Sequence, residues 1–136
     1  MTAQDNKELI RHIMEDGFNK QDMSVVYDSF HVDYRRHGHG VASMTSLAEH
    51  VEDLKARHAA CDEARFTILK IVADGDTVAV QFDFTGIHSG TFNGLPATGN
   101  RVKRPAAVFF VIRDGKVAEG TVFADGAGFM AQLQND

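Results

Sequence analysis

The sequence predicts an α+β fold: helices first, then a curved antiparallel sheet. Three observations predict it. Apolar residues recur at helical spacing through the N-terminal part. The period changes to two from residue 64 onward. No repeat, linker or low-complexity tract interrupts the change. A long, bent sheet that wraps around helices makes a cone with an apolar pocket.

The elements follow in order. Leu9, Ile10, Ile13, Met14 and Phe18 mark a first helix, with Asp5 as its expected N-cap and Gly17 weakening its far end. Asn19 to Asp22 reads as a connector, and Val25, Val26, Tyr27 and Phe30 as a short second helix. The stretch from His31 to Gly40 has room for one strand, Val32 to His37. Ser46-Leu-Ala-Glu49 has the form of a capping box and opens a third helix. Leu47, Val51 and Leu54 form its apolar stripe, with His50 and His58 expected at the edge. Glu49, Glu52, Asp53 and Lys55 are expected in solvent.

The strands come next. Phe66 to Val72 is one, and Asp74-Gly75-Asp76 is a turn. Thr77 to His88 is a longer strand, with Val78, Val80, Phe82 and Phe84 on one face and Gln81, Asp83 and Thr85 on the other. A long connection carries the turn signals Asn93-Gly94 and Thr98-Gly-Asn100. Ala106 to Arg113 reads as a buried strand, Asp114-Gly115 as a hairpin turn and Lys116 to Ala124 as the return strand. A helix from Phe129 to Leu133 closes the chain.

Composition excludes several function classes. The 136 residues fit one domain, residues 1–136, and 43% hydrophobic with 24% charged residues is ordinary globular composition. A net charge of −5 disfavours nucleic acid and anionic membranes as partners. The densest basic stretch, Arg101-Val-Lys-Arg104, follows a turn and reads as a solvated strand end. The one cysteine, Cys61, precedes Asp62 and Glu63, which is no setting for a reactive thiol. The N-terminus is polar and no apolar run is long enough to span a bilayer, so the expected compartment is the cytoplasm.

The return strand carries the candidate chemistry. Strict alternation puts Val117, Glu119, Thr121, Phe123 and Asp125 on one face. A carboxylate beside apolar groups loses solvation and becomes a better base. Asp125 is therefore a candidate, although an aspartate there also suits the cap of the last helix. His37-x-His39 has a spacing that two metal ligands on a strand would share, but no Cys or Glu-x-x-His partner sits nearby. A single histidine acting in the pocket fits better than a metal site. There is no nucleophile elbow, dinucleotide fingerprint or phosphate loop.

Two segments resemble a known family. Thr85-Gly-Ile-His-Ser-Gly-Thr-Phe-Asn-Gly-Leu-Pro-Ala-Thr-Gly99 is similar to the SnoaL-like family's T-G-x-H-x-G-x-F-x-G-x-P-x-T-G run. Arg113-Asp-Gly-Lys-Val-Ala-Glu119 is similar to its R-x-x-D-G-K-I-x-E segment, one residue shorter. Ala131-Gln-Leu133 echoes its R-Q-L-G ending. The resemblance is clear from residue 64 to 133. It implies a cone-shaped, nuclear transport factor 2-like fold and a cofactor-independent polyketide or ester cyclase. It also implies a hydrophobic small-molecule ligand and a homodimer paired through the open sheet face.

The family's acid/base aspartate lies six residues after its glutamate, which points to Asp125 after Glu119. His37 matches the histidine of its D-x-x-x-H segment, and Gln81 and His88 lie on the strand that supplies pocket polar groups. The resemblance thus implies catalytic Asp125, His37 and His88, substrate-binding Gln81, Glu119, Thr121 and Phe123, and no metal or organic cofactor. The chain departs from the family at Thr121, where a tryptophan is usual, and at Gln81, where an arginine is usual. An isomerase, dehydratase or epoxide hydrolase on the same fold, or a non-catalytic binding module, remains an alternative.

Overall fold

The fold is seen in a computed structural model that describes residues 1–134. It contains four helices and a curved five-stranded sheet. Helix α1 spans Ala3–His12 and continues as a π-helical segment, Ile13–Asn19. Helix α2 is Met23–Ser29 and strand β1 is Phe30–His39. Helix α3 is Leu47–Ala60, followed by β2, Cys61–Asp74, β3, Thr77–His88, and β4, Arg101–Arg113. Strand β5 is Lys116–Ala124 and helix α4 is Gly126–Gln134.

The sheet order is β1-β5-β4-β3-β2. Strands β2 to β5 pair antiparallel, and β1 joins β5 in parallel. The β4–β5 hairpin turns on Asp114 and Gly115, both at positive φ (53° and 74°), as a two-residue hairpin needs. The chain could return tightly there because Arg113 pairs with Lys116.

The inner face of the sheet holds the core. Val78, Val80, Phe82 and Phe84 of β3 pack with Val102, Ala106, Val108, Phe110 and Ile112 of β4. Helix α1 and its continuation bring Ile10, Ile13, Met14 and Phe18 against them. Asn19, expected in a connector, acts as a strand mimic. Its side chain donates to the Phe66 carbonyl (2.9 Å) and accepts from the Phe66 N–H (2.7 Å).

Two caps differ from expectation. Thr2, not Asp5, is the N-cap of α1, and Asp5 is its reciprocal partner in a capping box. At α3 the Ser46 hydroxyl accepts from the Glu49 N–H (3.2 Å), but the Glu49 carboxylate turns to Thr45 instead of the Ser46 N–H.

Strand β5 is also not strictly alternating. Ile112 pairs with Val117 while Val111 pairs with Glu119, so a β-bulge lies at Val117–Ala118. Val117 is buried before the bulge, and Ala118, Gly120 and Val122 are buried after it. Glu119 and Phe123 therefore face outward, not toward the core with Val117.

Candidate functional site

Three elements aim polar side chains into the cone. Strand β1 turns Phe30, Tyr34 and Arg36 inward, while Val32 is exposed. Helix α3 presents His50, Asp53, Leu54 and Arg57, which follow i, i+3, i+4, i+7 spacing and so share one face. Strand β4 alternates Val102, Arg104 and Ala106 inward, with Arg104 opposite Phe84 of β3. The Arg36 N–H and carbonyl pair with Met44, which folds residues 40–44 back over the end of β1. Gly40 makes this possible: its φ is +78°, and a Cβ there would strike the Ala124 carbonyl oxygen.

These side chains line two adjoining chambers. The inner chamber, about 40 Å³, is lined by Tyr34, Arg36, His50, Asp53, Arg57 and Arg104 among apolar groups. The outer chamber, about 260 Å³, shares Arg36, Asp53, Arg57 and Arg104 and opens between Val41, Phe92, Phe129 and Met130. The cavity is therefore not purely apolar, as the sequence reading expected.

Asp53 is the hub. Its Oδ2 accepts from Arg57 Nε at 3.1 Å and lies 3.5 Å from Arg36 Nη1. Burial alone would raise this carboxyl, but Arg57 and Arg36 outweigh it and hold Asp53 below the usual carboxylate range. Arg36 also donates through Nε (3.2 Å) and Nη2 (2.9 Å) to the Ala42 carbonyl. Its own pKa falls because burial outweighs the Asp53 charge.

Arg104 is different. Among the described residues its guanidinium makes no hydrogen bond or ion pair, and its Nε is buried without a partner. Burial pushes it down to about 9, with Arg57 adding to the effect, so it remains cationic at neutral pH. It lies over the rings of Phe84 and Phe129, 5.8 Å from each centroid. Arg57 lies over Phe84, Phe92 and Phe129, at 5.6, 5.5 and 5.9 Å, and its Nη1 is unpartnered. His50 is enclosed by Phe18, Phe30 and Tyr34, and among the described residues neither ring nitrogen has a partner. Burial, then the Arg36 charge, pushes His50 down to about 3, so it is neutral. Burial also raises the Tyr34 phenol.

The residues singled out from the sequence lie elsewhere. Asp125 is exposed and caps α4: its Oδ1 accepts from the Gly128 N–H at 2.8 Å. It borders an open depression on the outer face with His39, Gln81 and Phe123, not the cavity that Asp53 lines. His37 and Glu119 are half-exposed and 3.9 Å apart. Gln81 is exposed, Thr121 half-buried and Phe123 exposed, stacked on His39 at 4.5 Å. His88 is fully buried at the end of β3, where Nδ1 meets Thr98 Oγ1 at 3.0 Å. It helps hold the loop before β4 and does not line the cavity. The bulge in β5 separates Val117 from the outward face that Glu119 and Phe123 share.

The cavity residues missed in the sequence are Arg36, His50, Asp53, Arg57 and Arg104. Asp53 is only one-fifth exposed rather than solvated, Arg104 is 5% exposed rather than a solvated strand end, and His50 is central rather than at an edge. The signals were present: helical spacing on α3, and alternation of Arg104 with Ala106, Val108 and Phe110. No group of three or more His, Cys, Asp or Glu side chains among the described residues is arranged to hold a metal ion. No helix among them is long and apolar enough to cross a membrane.

The family model of the SnoaL-like polyketide cyclases matches residues 8–133. The chain belongs to the SnoaL-like polyketide cyclase family. Solved structures share the fold of this SnoaL-like chain. A SnoaL-like protein from Jannaschia sp. CCS1 is 22% identical, with a TM-score of 0.88 over 98% of this chain and 94% of that one. IdmH from Streptomyces antibioticus, provisionally described as a polyketide cyclase, is 24% identical, with a TM-score of 0.81 over 96% and 99%. AclR from Streptomyces galilaeus, provisionally described as a hydroxylase, is 23% identical, with a TM-score of 0.85 over 97% and 82%. No curated protein matches the chain in sequence.

Proposed function

We propose that the protein is a cofactor-independent acid/base enzyme of cyclase type, acting on a small ketone-bearing molecule inside the cone. The observation that carries this reading is the ionised Asp53 held between Arg36 and Arg57 in the wall of the cavity. Asp53 takes a proton from the carbon next to a substrate carbonyl. The electron pair moves onto the carbonyl oxygen, and the resulting enolate attacks a second carbonyl or is reprotonated. Arg57 Nη1, which has no other partner, supports the new oxyanion.

The arginines make Asp53 a weaker base, but they stabilise the enolate too. Negative charge moves from one point among the guanidiniums to another, so the dipoles need little reorganisation. The apolar wall of Phe92, Phe129 and Met130 suits a hydrophobic body on the substrate. Isomerase, dehydratase and epoxide hydrolase chemistry would use the same proton transfer and differ in products. On the outer face, Phe109 and Phe123 are 45% and 46% exposed and in edge-to-face contact at 6.3 Å. That supports a homodimer through this face, as the family resemblance implies.

The test is hydrogen–deuterium exchange next to the ketone of 4-oxo-4-phenylbutanoate, followed by NMR. Asp53→Asn is expected to lower catalysed exchange about 100-fold or more. Asp125→Asn is expected to leave it near wild type. The opposite pattern would move the chemistry back to the rim.

A further inference from the structure

The cavity carries more positive charge than the proposed chemistry uses. Three guanidiniums, of Arg36, Arg57 and Arg104, face the single carboxylate of Asp53, and His50 is neutral. That leaves a surplus of two positive charges. Proton transfer to Asp53 does not change it, because the enolate gains the charge that Asp53 loses. The other residues at the mouth, Gly40, Val41, Ala42, Phe92, Asn93, Gly126, Phe129 and Met130, bring no compensating charge.

Burying an unpaired cation is strongly unfavourable, and arginine does not escape by losing its proton at neutral pH. The faces of Phe84 and Phe129 offset only part of that cost for Arg104. Its Nε is buried without a partner, and Arg57 Nη1 is unpartnered beside the same rings. The guanidinium fork matches a planar carboxylate. The small inner chamber has room for such a head group, and the larger apolar mouth for the body behind it.

We propose that the cavity is built for an organic anion, an apolar ketone carrying a free carboxylate, whose carboxylate is held by Arg104. This rests on the acid/base reading for the place of the site, but not for the sign of the ligand's charge. It makes Arg104 a specificity residue: it separates free acids from the corresponding esters and amides.

Calorimetric titration tests it with three probes: 4-oxo-4-phenylbutanoate, its primary amide and inorganic phosphate. Wild type is expected to prefer the carboxylate over the amide by about 10-fold or more. Arg104→Met is expected to lose that preference while melting no lower than wild type, since removing an unpaired buried charge is not destabilising. Arg104→Lys keeps the charge and is expected to keep part of the preference, which controls for a variant that fails to fold. Equal binding of the amide, or an unchanged preference in Arg104→Met, would overturn the proposal. So would phosphate binding as tightly as the carboxylate, which would mark a site for inorganic anions. The wild type separates the two readings: carboxylate binding without any exchange activity refutes only the acid/base reading, and exchange without carboxylate preference refutes only the anion site.

Discussion

Lowering the pH below 6.5 should destabilise this protein through His50. Its ring is buried among Phe18, Phe30 and Tyr34, near Arg36, Asp53 and Arg57, and burial lowers its pKa from 6.5 to about 3. A depressed pKa in a histidine means that the unfolded chain binds the extra proton first. Between pH 6.5 and 3 the unfolded state holds more protons, so stability rises with pH through that window and is lost as pH falls. The slope for one proton is about 1.4 kcal/mol per pH unit. From pH 6.5 to 4.5 the loss should be about 2 kcal/mol, because the unfolded histidine is half-protonated at the start. Asp53 is also depressed, so its contribution is present above the ordinary aspartate pKa of 3.8 and lost below it. The upper window thus belongs mainly to His50.

Urea denaturation of wild type and His50→Leu at pH 6.5, 5.5 and 4.5 isolates this effect, because the variant differs only in lacking the ring. Leucine fills the site without a titrating group and removes two unpartnered ring nitrogens, so the variant should be at least as stable at neutral pH. The two stability curves should diverge by about 2 kcal/mol at pH 4.5. Parallel curves would refute the reasoning and place a compensating group beside the ring.

Other outcomes follow from the same geometry. Gly120→Ala would put a Cβ 2.6 Å from the Tyr34 hydroxyl, and the buried tyrosine must shift, so urea melts should show a loss of about 1–3 kcal/mol. Asp53→Leu leaves Arg36 and Arg57 without their counter-charge and should cost about 3–5 kcal/mol in the same assay. Phe123→Glu places a charge on the exposed outer face. Sedimentation should show a monomer in place of the proposed wild-type dimer, and a monomeric wild type would remove the dimer proposal.

The fold was legible because its signals are local. The strand bounds Thr77 to His88 and Lys116 to Ala124 match those observed, since turn residues mark both ends. The family's glycine–proline run begins in the last residues of β3 and continues through the loop before β4, which explains why it signals the fold more than the chemistry. The site was harder to read because its residues look like solvent-facing ones. Asp53 and Arg57 are charged groups on a helix, and only their spacing with Leu54 shows that they point inward. Arg104 sits in a basic run, and only alternation with Ala106 and Val108 separates it from Lys103. Val117 was grouped with Glu119 and Phe123 because alternation was carried through the bulge at Val117–Ala118, which reverses the faces of β5. The bulge is set by pairing with β4, a long-range contact that residue spacing alone does not contain.

The central claim is that the reacting centre lies at Asp53 inside the cone and not at Asp125 on its rim. The direct measurement is the rate of exchange next to the ketone of 4-oxo-4-phenylbutanoate in deuterated buffer, with wild type, Asp53→Asn and Asp125→Asn side by side. The account predicts that Asp53→Asn loses about 100-fold or more while Asp125→Asn stays close to wild type. Full exchange in Asp53→Asn together with its loss in Asp125→Asn would contradict it.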